Sequence, residues 1–138
     1  MAKPDPWRLD PAAYPHTDTI QTRFADLDVL GHINNVAMVA LFETGRTRFN
    51  GAAGLAKWRK PRWLVAAQEV NYLAEGNYPA HITMTHGIGR VGGRSWTLLG
   101  AAFQFGIPIA TCDVTIVIDA PEMPAEFRAA LEQWKIAS

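Results

Sequence analysis

Only one cysteine, Cys112, and two serines, Ser95 and Ser138, occur in the chain. A single thiol excludes an intrachain disulfide and any zinc site built on paired cysteines. No G-x-S-x-G string is present, so a serine-triad hydrolase lacks its nucleophile elbow. No Gly-rich nucleotide loop stands between a strand and a helix, and no run approaches the roughly eighteen apolar residues that a membrane span requires. An excess of either charge is also missing, since 13 basic residues face 13 acidic ones. A general nucleic-acid or anionic-membrane partner is therefore not expected, and anion binding has to be local. The N-terminal segment lacks the apolar stretch of a signal peptide, which together with the lone thiol predicts a cytoplasmic protein.

At 138 residues the chain is long enough to bury one core, and no linker, repeat or low-complexity tract divides it. Residues 1–138 therefore read as a single domain, with prolines making 1–16 an irregular arm. Hydrophobic residues are 49% of the chain and charged residues 19%. That balance is apolar for a domain of this size and predicts that a second subunit covers part of the surface.

The most informative stretch runs from Thr22 to Phe49. Thr19 to Phe24 reads as a first strand, stopped by the turn chemistry of Asp26, Asp28 and Gly31. Asn34 then offers an N-cap, and Asn35 to Phe49 contains no proline, with Gly45 as the one weak interior position. Val36 to Phe42 is apolar all the way round, which predicts a long helix enclosed by other structure. Gly51 to Gly54 reads as a loop, and Lys57 to Arg62 as a solvated basic connection with Trp58 and Trp63 packed beneath it.

From Trp63 the periodicity becomes extended. Trp63–Leu73, Ala80–Val91, Arg94–Phe105 and Pro108–Ile118 are strand candidates, separated by Glu75-Gly-Asn, Gly92-Gly93 and Gly106. Short connections predict that successive strands pair antiparallel. In the last candidate, Ala110, Cys112, Val114, Ile116 and Ile118 share one face, which makes Cys112 a buried thiol rather than a reactive one. Phe127, Leu131 and Trp134 recur at helical spacing within Pro124–Ala137, predicting a short amphipathic helix on the outside. One strand, a long helix and four more strands make an α+β domain with one antiparallel sheet curled around the helix.

A buried helix start leaves backbone N–H groups without intrahelical partners, and the helix dipole favours negative charge there. Asp28 lies a few residues upstream, so one turn can present a carboxylate and a set of donors to the same small volume. That pairing suits acyl transfer. Each well-placed donor is worth roughly 3 kcal/mol to a tetrahedral oxyanion, and the carboxylate serves as general base or nucleophile. A purely structural alternative is that Asp26 and Asp28 form Asx-turns.

The string Asp26-x-Asp28-x-x-Gly31-His32-Ile33-Asn34-Asn35, followed on the helix by Phe42-Glu43-x-x-Arg46, closely resembles the hotdog-fold thioesterases of the 4-hydroxybenzoyl-CoA thioesterase type. The match is strongest over Gln21 to Phe49. The resemblance implies a hotdog fold, acyl-CoA as substrate, coenzyme A as part of that substrate rather than a separate cofactor, no metal, and a homodimer or a dimer of dimers with the site between protomers. It further implies that the Asp28 carboxylate is catalytic and that the backbone amide of Asn35 polarises the thioester carbonyl. His32 takes a supporting role. Glu43 stands where some related enzymes place their catalytic carboxylate, although an ordinary Glu43–Arg46 pair explains it equally well. Arg90, Gly92, Gly93, Arg94 and Ser95, at a strand connection, lie where the family binds the nucleotide and pantetheine. Two guanidinium groups and free turn amides suit phosphates.

The expected function is thus acyl-CoA hydrolysis to a free acid and coenzyme A. The principal alternative is a non-catalytic acyl-CoA or acyl-carrier-binding protein. A hotdog hydratase is disfavoured because no D-x-N-P-x-x-H string occurs. Asp26, Asp28 and His32 form too sparse a set for a metal site without further ligands.

Overall fold

The computed structural model describes residues 4–137. Positions 1–3 of the expected arm and Ser138 lie outside them. Strands β1 (His16–Ile20), β2 (Trp63–Tyr72), β3 (Ile82–Val91), β4 (Ser95–Gln104) and β5 (Ile107–Ile118) form one antiparallel sheet in the order β1-β3-β4-β5-β2. A long helix α1 (Asn35–Ala52) lies in its concave face, and a short helix α2 (Ala125–Glu132) follows β5. This is the curled sheet on a central helix expected of a hotdog domain. No helix of the described residues is long and apolar enough to cross a membrane.

The order of the strands departs from simple succession. β3 pairs with β1 on one side and β4 on the other, so β2 crosses to the far edge and pairs with β5 from Trp63↔Ile118 to Tyr72↔Ala110. The 73–81 connection is long enough for that crossing. Phe105 and Gly106, both with positive φ, make the tight β4–β5 hairpin turn. Bulges at Val65/Ala67 in β2 and Ile88/Val91 in β3 interrupt the register, and such bulges sharpen a sheet's twist and curl.

The first strand is His16–Ile20 rather than Thr19–Phe24. Beyond Ile20 the chain turns away, and Phe24–Asp26 closes a 3-10 turn. α1 runs to Ala52, past the expected loop start, and takes Gly51 into its last turn despite the poor helix propensity of glycine. Met38, Leu41, Phe42 and Phe49 pack into the core with Ile82, Met84 and Ile88 of β3 and Leu98 of β4. The helix is not enclosed on every side, however. The sheet covers one face, leaving Val36 80% exposed and Ala40 exposed on the other. α2 is amphipathic as expected: Ala125, Glu126, Ala129 and Glu132 are exposed, whereas Phe127 and Leu131 are fully buried, and Phe127 packs against Trp58, Trp63 and Trp96.

The described part of the arm is pinned to the sheet. Arg8, buried, donates from Nη2 to Asp113 Oδ1 at 2.7 Å and to the Gly100 carbonyl, and from Nε to Tyr14 Oη at 2.8 Å. A buried guanidinium is tolerable only when so fully bonded. Cys112 is buried as expected, and burial pushes its thiol up to about 11.

His86 is the core's one deeply buried imidazole. Burial first, then the nearby His16 and Arg46 charges, pull it down to about 3 from 6.5, opposed only by Asp18. The unfolded chain therefore binds a proton that the fold refuses. Stability from this group is complete above about pH 6.5 and drains away as the pH falls toward 3. Urea midpoints measured at pH 7.5 and 4.5 are expected to drop more in the parent chain than in His86→Leu, which cannot titrate there. Equal drops would remove His86 as the cause.

Candidate functional site

The turn after the first strand is a small hairpin. Leu27 bridges Ile33, the Asp28 N–H donates to the His32 carbonyl at 2.8 Å, and the Gly31 N–H donates back to the Asp28 carbonyl. Gly31 sits at φ +82°, a left-handed position that glycine adopts without a Cβ penalty. Asp28 Oδ1 accepts from the Leu30 and His32 amides at 2.9 and 3.2 Å. The Asx-turn alternative is thus present, but it occupies only one oxygen. Oδ2 meets no donor among the described residues.

Asp26 is buried and structural. Its carboxylate accepts from the Arg23 backbone and guanidinium, and its carbonyl accepts from the Asn34 N–H. Asn34 caps α1, with Oδ1 accepting from the Ala37 N–H at 2.7 Å. Replacing Asn34 with Ala should cost roughly 0.5–2 kcal/mol of stability, read as a shift of the denaturant midpoint at constant slope. An unchanged midpoint would show the cap to be idle. The Asn35 N–H meets no acceptor among the described residues.

Asp28, His32, Asn35, Met38 and Tyr72 line a cleft of about 340 Å³, walled on its far side by residues 73–76. The Ile33 N–H ties that wall down by donating to the Gly76 carbonyl at 2.9 Å, and His32 Nε2 reaches Glu75 at 3.0 Å. The latter pair is well exposed and worth little in energy, but it holds the imidazole over the cleft wall. Asp28 and Asn35, both exposed, therefore line one open cleft, and the helix start is not buried as expected. Such a cleft can bind a carbonyl, activate a nucleophile and hold an oxyanion.

Glu43 lies elsewhere. It is exposed and lines a separate groove with Ala40, Thr44, Thr47 and Arg48, eight residues or about 12 Å along α1 from Asn35. It makes no ion pair with Arg46; the Arg46 Nη1 is buried without a hydrogen-bond partner among the described residues. Arg90, Gly92, Gly93, Arg94 and Ser95 form the β3–β4 hairpin, where the Gly92 N–H donates to the Ser95 carbonyl at 2.7 Å. That hairpin is at the opposite end of the sheet. Gln104, at the other end of β4, bonds Asn77 beside the Asp28 cleft. The ten residues of β4 separate the two by about 30 Å.

Tyr72 is a polar lining residue that sequence reasoning missed. Its hydroxyl donates to the Asn35 carbonyl at 3.0 Å. Nothing in its alternating strand marks it apart from any other aromatic on a sheet.

A model of the thioesterase-like superfamily matches residues 22–134. No curated protein is a significant match. Among solved structures, a Pseudomonas aeruginosa protein is 27% identical, with 93% of this chain and 96% of that one covered and a TM-score of 0.79. A predicted thioesterase from Bacillus stearothermophilus is 25% identical, with 86% and 95% covered and a TM-score of 0.77. A thioesterase from Thermus thermophilus, complexed with coenzyme A and Zn, shares the fold at 21% identity, with 91% and 98% covered and a TM-score of 0.81.

Proposed function

The chain belongs to the thioesterase-like superfamily, and on that premise we propose that it hydrolyses an acyl-CoA thioester at the Asp28 cleft. The observation that carries the reading is the convergence on one cleft of Asp28, with one oxygen tied and one free, and Asn35, with its amide unpaired. The 4-hydroxybenzoyl-CoA type remains the template for the residue roles.

In this mechanism the carbonyl oxygen of the thioester faces the Asn35 N–H at the positive end of α1. Asp28 Oδ2 either takes a proton from the attacking water or attacks the carbon itself to give an anhydride that water then opens. Collapse of the tetrahedral intermediate expels the coenzyme A thiolate, which takes up a proton in solvent. The chemistry requires no further cofactor, because the sulfur is already a good leaving group. His32 supports the turn through its backbone bonds to Asp28.

A second copy completes the site in this reading. Val29, Leu30 and Val36, next in sequence to Asp28 and Asn35, are exposed apolar side chains, and β2 is an unpaired edge carrying exposed Leu64 and Val65. Pairing two β2 edges antiparallel sets the start of one strand beside the end of the other. The Ile118 N–H, opposite Trp63 at that start, donates to the Arg94 carbonyl. The partner copy's hairpin is thereby carried toward this copy's cleft, where its guanidinium groups meet the coenzyme phosphates. Glu43, on the face of α1 left open by the sheet, contacts the other copy or its substrate. A homodimer, or a dimer of dimers, is the corresponding assembly.

Thiol release across a chain-length and aryl series of acyl-CoAs tests the proposal and fixes the acyl preference together. Turnover of at least one member, lost in Asp28→Asn, supports hydrolysis. Tight binding with no release by the parent chain would mean a non-catalytic acyl-CoA-binding protein.

A further inference from the structure

We infer that Tyr72 is a positioning residue for the oxyanion donor, an inference that rests on the thioesterase reading of this cleft. The Asn35 N–H lies in the Asn34–Asn35 peptide plane, which is joined through the Asn35 Cα to the plane that carries the Asn35 carbonyl. The first plane is held because the Asn34 carbonyl accepts from the Met38 N–H at 3.0 Å, and the residue before it is anchored where the Asn34 N–H donates to the Asp26 carbonyl at 2.9 Å. The second plane carries the Asn35 carbonyl, and Tyr72 Oη donates to that oxygen at 3.0 Å. The first plane is thus held by the helix's own first bond, and the second from outside it by Tyr72 of β2.

This matters because the first turn is where a helix frays. Asn35 and Val36 are exposed, so packing restrains the first turn only from Ala37 and Met38 onward. Tyr72 is the last residue of β2, locked in register with Ala110 of β5. The hydroxyl therefore ties the exposed start of the helix to a strand held in register by β5. The phenol also remains protonated, and so a donor, because burial and the nearby Cys112 raise its pKa above the usual tyrosine value. Tyr72 lines the same cleft as Asp28, so a loosened tie moves the donor relative to the carboxylate.

The substitution Tyr72→Phe keeps the ring and removes the bond. On the best substrate of the acyl-CoA series, kcat should fall roughly three- to tenfold, the worth of one neutral hydrogen bond, with KM within about twofold. A second readout separates positioning from mere support of the fold. A trifluoromethyl ketone analogue linked to coenzyme A, which presents a tetrahedral oxygen, should bind Tyr72→Phe more weakly by the same factor, while the simple thioether of coenzyme A binds unchanged. Equal kcat in the two proteins, or an equal weakening of both ligands, overturns the inference and leaves the thioesterase reading standing. Absence of turnover by the parent chain on every acyl-CoA removes both.

Discussion

Replacing Asp28 with Asn is expected to lower turnover on the best acyl-CoA by a factor on the order of a hundred to ten thousand while the chain stays folded. Asn preserves the size of the side chain and an oxygen that can still accept from the Leu30 and His32 amides, the two bonds that hold the turn. What it removes is the second carboxylate oxygen, the one without a donor. The substitution thus separates the two roles of Asp28, bracing the hairpin and doing chemistry, and removes only the second. Thiol release under saturating substrate, with a thermal melt of the same samples, measures both. Near-normal turnover takes Asp28 out of the mechanism. A collapsed melt would mean that the charge, not the geometry, holds the turn, and Asp28→Glu would then probe the chemistry.

Enlarging Gly45 should destabilise the fold by about 3 kcal/mol as Gly45→Val, against the sign that helix propensity alone gives. Glycine is the poorest helix former after proline, so by sequence Gly45 is a weak point that almost any residue should improve. In the fold it is the point of closest approach. A Cβ there would stand 2.7 Å from Met84 Cγ and 2.9 Å from His86 Cε1, with Ile20 Cδ1 at 3.4 Å. His86 has little room to yield, because its ring packs edge-on to Phe42 and at 35° to Phe49 while its Nε2 lies against Gly100. The helix would have to rise off the sheet. That movement is transmitted to Asn35 at its far end, so kcat should fall as well. Denaturant unfolding of the parent and variant checks the first effect; a variant as stable as the parent would mean that α1 is free to shift.

How far the sequence reached depended on the range of the forces involved. The turn at Asp28 and Gly31, the Asn34 cap, the alternation of β5 and the long helix are all fixed by contacts within a few residues. A left-handed glycine, an Asx oxygen or a period of two leaves its mark on neighbouring positions. The α+β class followed from those local patterns, and so did the grouping of Asp28 with the start of α1.

Partners far apart in the chain left no such mark. That β2 crosses to the free side of β5, that Arg8 reaches Asp113, that Tyr72 ties down Asn35 and that Gly45 meets His86 are outcomes of topology. The entropy of closing a loop rises only slowly with its length, so many pairings cost the chain nearly the same and packing selects among them. The identity of the residues told which groups were able to do chemistry; only the curvature of the sheet around α1 decided which of them share a cleft, and set the Arg90–Ser95 hairpin at the far end of it.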